Sequence, residues 1–248
     1  MSAKLLKSSV LQRTLRMEPP SELGKSSITM AIEAIDTGKF DEAKEVIKYF
    51  IPEGKGLHDL YCDWSYSWYN YIADKYGEES LYEASRVSQE PWLKPFCEVL
   101  MAMDDVYERF AWLVECMRAH RCGPQQIGDV TCIEEKERYV MEFDPCGSGG
   151  RMRRGDPVNG TPPRTGPPYN FGTFKKTYPW TWGKKIAYYC LHCCINQIRA
   201  IELAGYPLWI TEYPDDPNDV CKWIVYKSPE LIPDRYWTIV GKQRPASF

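Results

Sequence analysis

The sequence predicts an α+β protein in which a helical N-terminal half packs on a small antiparallel sheet that carries one long C-terminal helix. Three observations predict this class. Apolar residues recur at helical spacing through most of residues 26–120. The apolar period changes to two near Gly123-Pro124, which is typical of strands. A last helical pattern then precedes two further strand-like segments.

The first two predicted helices form a hairpin. Apolar positions in residues 28–35 follow Ser26, which has the chemistry of a helix N-cap. Gly38 then separates this segment from a second apolar stripe in residues 40–50.

Two longer helical segments complete the first half. Residues 56–76 predict a third helix, with Gly77 as its stop. Pro91 is then expected to separate a short helix, residues 81–87, from a long one that ends near His120.

The second half predicts strands. Residues 130–133 and 139–143 flank a charged turn and predict a hairpin. Residues 144–182 are rich in Pro and Gly, and a structureless stretch of this length is usually disordered or functional. After a helix over residues 184–204, a turn rich in Pro and Asp joins two more predicted strands, residues 208–213 and 220–226.

The best candidate for an internal boundary is residues 122–128, where the periodicity changes. It divides the chain into a helical half, residues 1–122, and an α+β half, residues 123–248. We expect these halves to form one compact domain.

The composition and charge of the chain limit the classes of function that it can have. The chain has 248 residues, of which 44% are hydrophobic, so it can bury a large core. With a formal net charge of −3, the chain lacks the positive field that non-specific nucleic-acid binding needs. No segment has the roughly 20 consecutive apolar residues that cross a bilayer, and no secretory signal is apparent. These features predict a cytoplasmic protein, although the basic first 17 residues would also suit an organellar transit peptide.

Ten cysteines are many for such a chain, and reducing compartments keep them as thiols or metal ligands. The strongest motif is Cys190-Leu191-His192-Cys193-Cys194, in which thiols at C-x-x-C spacing can hold a metal ion. In a regular helix His192 points away from Cys190, so it joins such a site only where the chain is irregular or where the other ligands come from elsewhere in the chain. The alternatives are a buried helix face or a redox C-x-x-C motif.

A second motif, Asp144-Pro145-Cys146-Gly147-Ser148-Gly149-Gly150-Arg151, follows a predicted strand directly. Its glycines permit a tight turn, and Cys146 is a candidate metal ligand or nucleophile. Arg151 and Arg153 are candidate ligands for a carboxylate or phosphate. The alternative is a glycine turn beside a buried thiol.

On a predicted helix His58 and Cys62 are four residues apart and share one face, as do Asp59 and Asp63. This spacing suits a metal pair or a base with an orienting carboxylate, but it also arises by coincidence. His120 ends the long predicted helix, where a cation complements the helix dipole. Asp59 and His120 are the candidates for proton transfer.

With these motifs assembled, the chain resembles an uncharacterised group of bacterial proteins that share an LHDLY-type helix, a DPCGSGGR loop and a YYC-x-HC segment. This resemblance spans most of the chain and implies no named activity. The C-terminal strands, about 30 residues including Cys221 and Trp223, are similar to those of four-vinyl-reductase-like ligand-binding domains and of the thiazoline-carboxylate hydrolase family. That second likeness favours a small-molecule pocket.

The leading hypothesis is a zinc-dependent, or otherwise non-haem-iron-dependent, hydrolase or lyase for a small anionic, aromatic substrate. The predicted ligands are Cys146, Cys190 and Cys193 with His192 or His120, and the predicted substrate-binding residues are Arg151, Arg153 and Tyr189. One alternative is a ligand-binding or sensor module with a structural metal. Another is a metal-free enzyme with Cys146 as nucleophile. The aromatic helical half also suits contact with a second subunit in a homodimer.

Overall fold

The computed structural model describes residues 4–8 and 14–248, and it has the predicted α+β architecture. Arg13, part of the basic N-terminal segment, lies outside the described residues. The chain divides into two compact units, residues 1–61 and 62–248. This division falls inside a helix, whereas the change of periodicity pointed to residues 122–128.

The N-terminal unit begins with two short antiparallel strands, β1 (Leu5–Lys7) and β2 (Thr14–Arg16). Helices α1 (Pro20–Leu23) and α2 (Ser27–Asp36) follow, and α3 (Phe40–Tyr76) begins in this unit. A small apolar cluster joins α2 to α3, formed by Met30, Ala31 and Val46.

The N-terminus of α2 confirms the predicted cap. Ser26 accepts a hydrogen bond from the backbone N–H of Thr29, which satisfies one of the free donors of the first turn. The larger apolar residues of α2 and early α3 lie on their exposed sides, namely Ile28, Ile32, Ile35, Phe40, Ile47 and Phe50.

The prediction of a separate helix starting at residue 56 was wrong, because α3 is continuous over Phe40–Tyr76. Pro52 lies within it. A proline removes one backbone hydrogen bond from a helix but has a helical φ, so a long helix can continue through it when packing compensates. Gly77 ends the helix as predicted, with a φ of +90° that few other residues adopt.

The predicted break at Pro91 was also wrong. Helix α4 (Ser80–Ala102) runs through both Pro91 and Pro95. The chain breaks instead just after α4, where Asp105 caps α5 (Val106–Ala119) by accepting the backbone N–H of Tyr107.

The sheet contains β3 (Thr131–Glu134), β4 (Arg138–Phe143), β5 (Ile210–Glu212) and β6 (Cys221–Tyr226). Its strand order is β3-β4-β6-β5, and every neighbouring pair is antiparallel. The predicted hairpin is therefore confirmed, and both predicted C-terminal strands are present. Helix α5 contacts β4 and β6.

Three further helices belong to the C-terminal unit: α6 (Gly149–Arg154), α7 (Leu191–Ala204) and α8 (Arg235–Thr238). Helix α7 begins later than predicted because a short 3₁₀ turn, Tyr188–Cys190, precedes it. It packs against α4 and ends at Gly205 in the left-handed conformation. Among the described residues, no helix is both long enough and apolar enough to cross a bilayer.

Candidate functional site

The C-terminal unit contains a cavity of about 460 Å³ between α4, α5, α7, the sheet and the loop that precedes α6. This volume suits a small organic molecule. Aromatic side chains provide much of the wall: Trp92, Phe96, Phe143, Trp209, Tyr213 and Trp223. The polar and sulfur-containing residues of the wall include His120, Cys146, Ser148, Arg153, Cys190, His192, Cys193 and Cys221.

The glycine loop, residues 146–150, contributes Cys146, Ser148 and Gly149 to the wall of this cavity. Gly147 packs so closely against the end of α5 that a Cβ there would lie 1.8 Å from the carbonyl oxygen of His120. Only glycine allows this approach. The Gly150 backbone N–H points back to Cys146 and donates to its sulfur over 3.0 Å.

The close packing of the loop brings His120 to Ser148. Nε2 of His120 and Oγ of Ser148 form a short hydrogen bond, and the Tyr189 hydroxyl also interacts with Ser148. Ser148 is almost completely buried and lines the cavity. A serine hydroxyl that is hydrogen-bonded to an imidazole is the arrangement that activates serine for nucleophilic attack.

The sequence predicted His120 as a proton-transfer residue, and the structure places it in the cavity. Ser148 was not predicted as a site residue, because 28 positions separate the two residues and no local spacing links them. The sequence feature that could have identified Ser148 is its place within the glycine loop, residues 146–150.

Two thiols meet beside Gly149. A Cβ at this position would lie 2.6 Å from Cys190 Sγ and 3.8 Å from Cys146 Sγ, so both sulfurs face the same small space. Burial raises the pKa of Cys190 from 9.0 to about 12 and raises the pKa of Cys221 well above 9.0. Cys190 and Cys221 are therefore protonated thiols at neutral pH.

The His192 side chain lines the cavity; His192 is the second residue of helix α7, and Cys190 lies in the 3₁₀ turn Tyr188–Cys190 that precedes the helix. Nδ1 of His192 lies 2.5 Å from the Tyr189 carbonyl oxygen, which can only accept. The proton is thus on Nδ1, and Nε2 accepts from the Cys193 thiol over 3.3 Å. Burial lowers the pKa of His192, so the imidazole is neutral.

Arg153 supplies the positive charge of the cavity. Its Nε donates to the Gly149 carbonyl oxygen over 3.2 Å, and its guanidinium lies 4.7 Å from the centre of the Tyr213 ring. No carboxylate in residues 4–8 or 14–248 forms an ion pair with it. By contrast, the neighbouring Arg154 pairs with Asp144.

Arg151 has a different environment. Its side chain is completely buried, and Nη2 donates to Asp63 over 3.1 Å. Arg164 pairs with the same carboxylate. These contacts place Arg151 in a buried ion cluster, and it is not among the residues that line the cavity.

Tyr189 is buried with its ring parallel to that of Tyr66, at a centroid distance of 5.8 Å, and its hydroxyl donates to Cys62. Asp59 belongs to the N-terminal unit, where it pairs with Lys55 and lies 3.1 Å from Nδ1 of His58.

The predicted metal ligands are only partly brought together. Cys146, Cys190, His192 and Cys193 all line the cavity. Within the described part of the chain, however, no three His, Cys, Asp or Glu side chains converge as a metal-binding group. Both nitrogens of His192 are already hydrogen-bonded, so the zinc or iron site stays a prediction.

Comparisons of the chain with protein-family models, with curated proteins and with solved structures gave no significant match.

Proposed function

We propose that the chain is a hydrolase that binds a small aromatic molecule with one anionic group in the cavity of its C-terminal unit. The observation that carries this proposal is Arg153, a cation in an aromatic-walled cavity for which the described residues provide no carboxylate partner. Removing a charge from water is unfavourable unless an opposite charge compensates. A carboxylate ligand would provide that compensation, and the aromatic walls would bury its apolar body.

The reacting groups lie at the glycine loop, where Ser148 is hydrogen-bonded to His120. In the proposed reaction Ser148 Oγ attacks an ester or amide carbonyl carbon of the substrate while Nε2 of His120 takes the hydroxyl proton. His120 then gives this proton to the leaving alcohol or amine as the carbon–oxygen or carbon–nitrogen bond breaks. Water hydrolyses the acyl-enzyme, so the net reaction consumes one water molecule. Hydrolysis is preferred to the lyase alternative because this hydroxyl–imidazole pair suits acyl transfer.

The test uses an aryl ester that carries a free carboxylate, matched with the same ester without the carboxylate. We expect hydrolysis of the charged ester, with a loss of kcat of at least about 100-fold in Ser148→Ala. Arg153→Gln should weaken the selectivity for the charged ester. Ser67→Ala and Arg118→Gln are matched controls, because Ser67 and Arg118 are exposed and neither lines the cavity. Equal hydrolysis by wild type and Ser148→Ala would contradict the proposal.

A zinc-dependent hydrolase is the second candidate, with non-haem iron as the other metal. The observation that favours it is the approach of Cys146 and Cys190 to one point beside Gly149. Zinc bound there would supply a Lewis acid. Elemental analysis of the purified protein tests this directly. About one ion per chain, lost in Cys146→Ser and Cys190→Ser but kept in Cys132→Ser, would favour the metal enzyme, since Cys132 is exposed.

The ten free thiols support the further proposal that the protein works in a reducing compartment such as the cytoplasm.

A further inference from the structure

Helix α3 has exposed aromatic side chains in the part of it that belongs to the C-terminal unit. Trp64, Trp68 and Tyr71 are 57%, 54% and 49% exposed. Together with Ser67 they line a hollow of about 370 Å³ on the outside of the helix. Single exposed apolar residues are common, but several large ones side by side indicate a contact surface.

The residues of this hollow have the spacing of a helix-packing site. They occupy positions i, i+3, i+4 and i+7 of one helix. In a coiled coil, four neighbouring residues on one helix form a hole that is filled by one side chain, the knob, of the facing helix. The hollow on α3 therefore suits a side chain from a second helix.

The same surface extends onto α4. A second hollow, of about 450 Å³, lies between α3 and α4, and Trp68 lines both hollows. Trp92 on α4 also lines the second hollow and is 48% exposed. We call Trp64, Trp68, Tyr71 and Trp92 the aromatic face.

The area of the aromatic face is large enough for the core of an interface. A fully buried aromatic side chain covers about 150–250 Å², so each of these half-exposed residues presents roughly 100 Å². The four together present roughly 400 Å², which is about half of what one partner contributes to an interface of standard size. Aromatic residues are also enriched in the cores of protein interfaces.

The chemistry of the aromatic face favours a second copy of this chain as its partner. In a symmetric dimer the same patch lies on both subunits, so it must be complementary to itself. The aromatic face meets this requirement, because it has both a hole and exposed aromatic side chains that fit one. A charge near the symmetry axis would meet its own copy, and residues 64–73 of α3 contain no charged residue.

We propose that the aromatic face joins two copies of the chain in a symmetric dimer, in which aromatic side chains of each α3 pack into the hollow on the other. Trp92 also lines the cavity of the candidate site, so the interface borders that cavity. The dimer does not depend on the proposed hydrolase reaction, and its test uses no ligand.

Sedimentation equilibrium of the full chain measures the dimer directly. We expect wild type to have twice the mass of one chain at micromolar concentration. Trp68→Glu places a charge in the centre of the interface and should raise the dimer dissociation constant by at least about 30-fold, as should Trp64→Glu. Trp112→Glu is the matched control, because Trp112 is an exposed residue of α5 that lines neither hollow.

Circular dichroism separates a lost interface from a lost fold. The variants should keep the helix content of wild type, because each changed side chain is already about half exposed. Trp68→Gln removes the ring without adding a charge, so it tests the same contact should glutamate not be tolerated.

A monomeric wild type overturns the proposal, and binding of that monomer to phosphatidylcholine vesicles would assign the aromatic face to a membrane surface instead. A dimer that persists unchanged in folded Trp64→Glu and Trp68→Glu also overturns it, because the copies would then meet through another surface.

Discussion

His192 and Cys193 form a neutral imidazole–thiol pair, with Nε2 and Sγ 3.3 Å apart. The Tyr189 carbonyl holds the proton on Nδ1, so the sulfur donates its own proton to Nε2. Burial lowers the pKa of His192 and raises the pKa of Cys193 well above 9.0, and both shifts favour the uncharged forms. The pair thus differs from the thiolate–imidazolium pair of an activated cysteine nucleophile.

The first prediction concerns alkylation. The thiolate is the form that reacts with iodoacetamide, and the raised pKa of Cys193 disfavours its thiolate at neutral pH. We therefore expect Cys193 to react much more slowly than the exposed Cys132 at neutral pH. Peptide mass spectrometry over a time course measures both rates, and Cys132→Ser confirms the assignment of the fast site. Similar rates at the two cysteines would show that Cys193 is activated.

The second prediction is a loss of stability at alkaline pH. Burial raises the pKa of Cys97 from 9.0 to about 11 and that of Cys190 from 9.0 to about 12. Above pH 9 these thiols ionise in the unfolded chain but stay protonated in the folded one. Their stabilising contribution is complete below pH 9 and is lost as pH rises toward about 11 to 12.

Urea unfolding at a series of pH values measures this effect. Each such thiol should add a slope of about 1.4 kcal/mol per pH unit within its window. Cys97→Ala should be less stable than wild type at neutral pH but should show a shallower slope. A free energy of unfolding that stays constant from about pH 8 to about pH 11 would contradict the prediction.

The third prediction concerns the space beside Gly149. In Gly149→Ala the new methyl group would lie 2.6 Å from the buried Cys190 sulfur, so the loop or α7 must shift. Overpacking of this kind costs about 1–3 kcal/mol and should also weaken ligand binding. Gly166→Ala is the matched control, because a Cβ there meets only the Pro163 carbonyl oxygen, at 3.7 Å. Equal urea midpoints for the two variants would show that the loop is not tightly packed.

The fourth prediction concerns the ion cluster around Asp63. Arg151 is completely buried and Arg164 nearly so, and both donate to this carboxylate. Asp63→Asn removes their shared negative charge and should lower the free energy of unfolding by about 3 kcal/mol. Glu135→Gln breaks the exposed pair with Arg138 and should change little. If the two variants lose the same stability, the cluster contributes no more than a surface pair.

Much of the fold could be predicted from local patterns. The period-two segments before and after the charged turn predicted the β3–β4 hairpin, and the left-handed glycines at the ends of α3 and α7 were visible as Gly77 and Gly205. Local rules failed at Pro91 and at the predicted helix start near residue 56, where the helices continue. A proline rule counts the lost hydrogen bond but not the tertiary packing that offsets it.

The candidate site was partly predictable for a related reason. Chemically distinctive residues such as Cys146, Arg153 and His192 were identified from their motifs, and all three line one cavity. The partners that define their roles come from distant segments. Ser148 meets His120 only because Gly147 packs against the end of α5, and the Arg151–Asp63 pair spans 88 positions. Such pairings depend on the fold, which a single local pattern does not contain.

The central claim, that Arg153 binds the anionic group of an aromatic ligand, is tested most directly by a double-mutant cycle. Calorimetry would compare 3-phenylpropanoate with its neutral amide on wild type and on Arg153→Gln. We expect wild type to prefer the acid by roughly 10- to 100-fold, since a hydrogen bond to a charged group contributes about 1.5–3 kcal/mol. That preference should disappear in Arg153→Gln but persist in Arg118→Gln. A preference for the acid that is the same in all three proteins would contradict the claim.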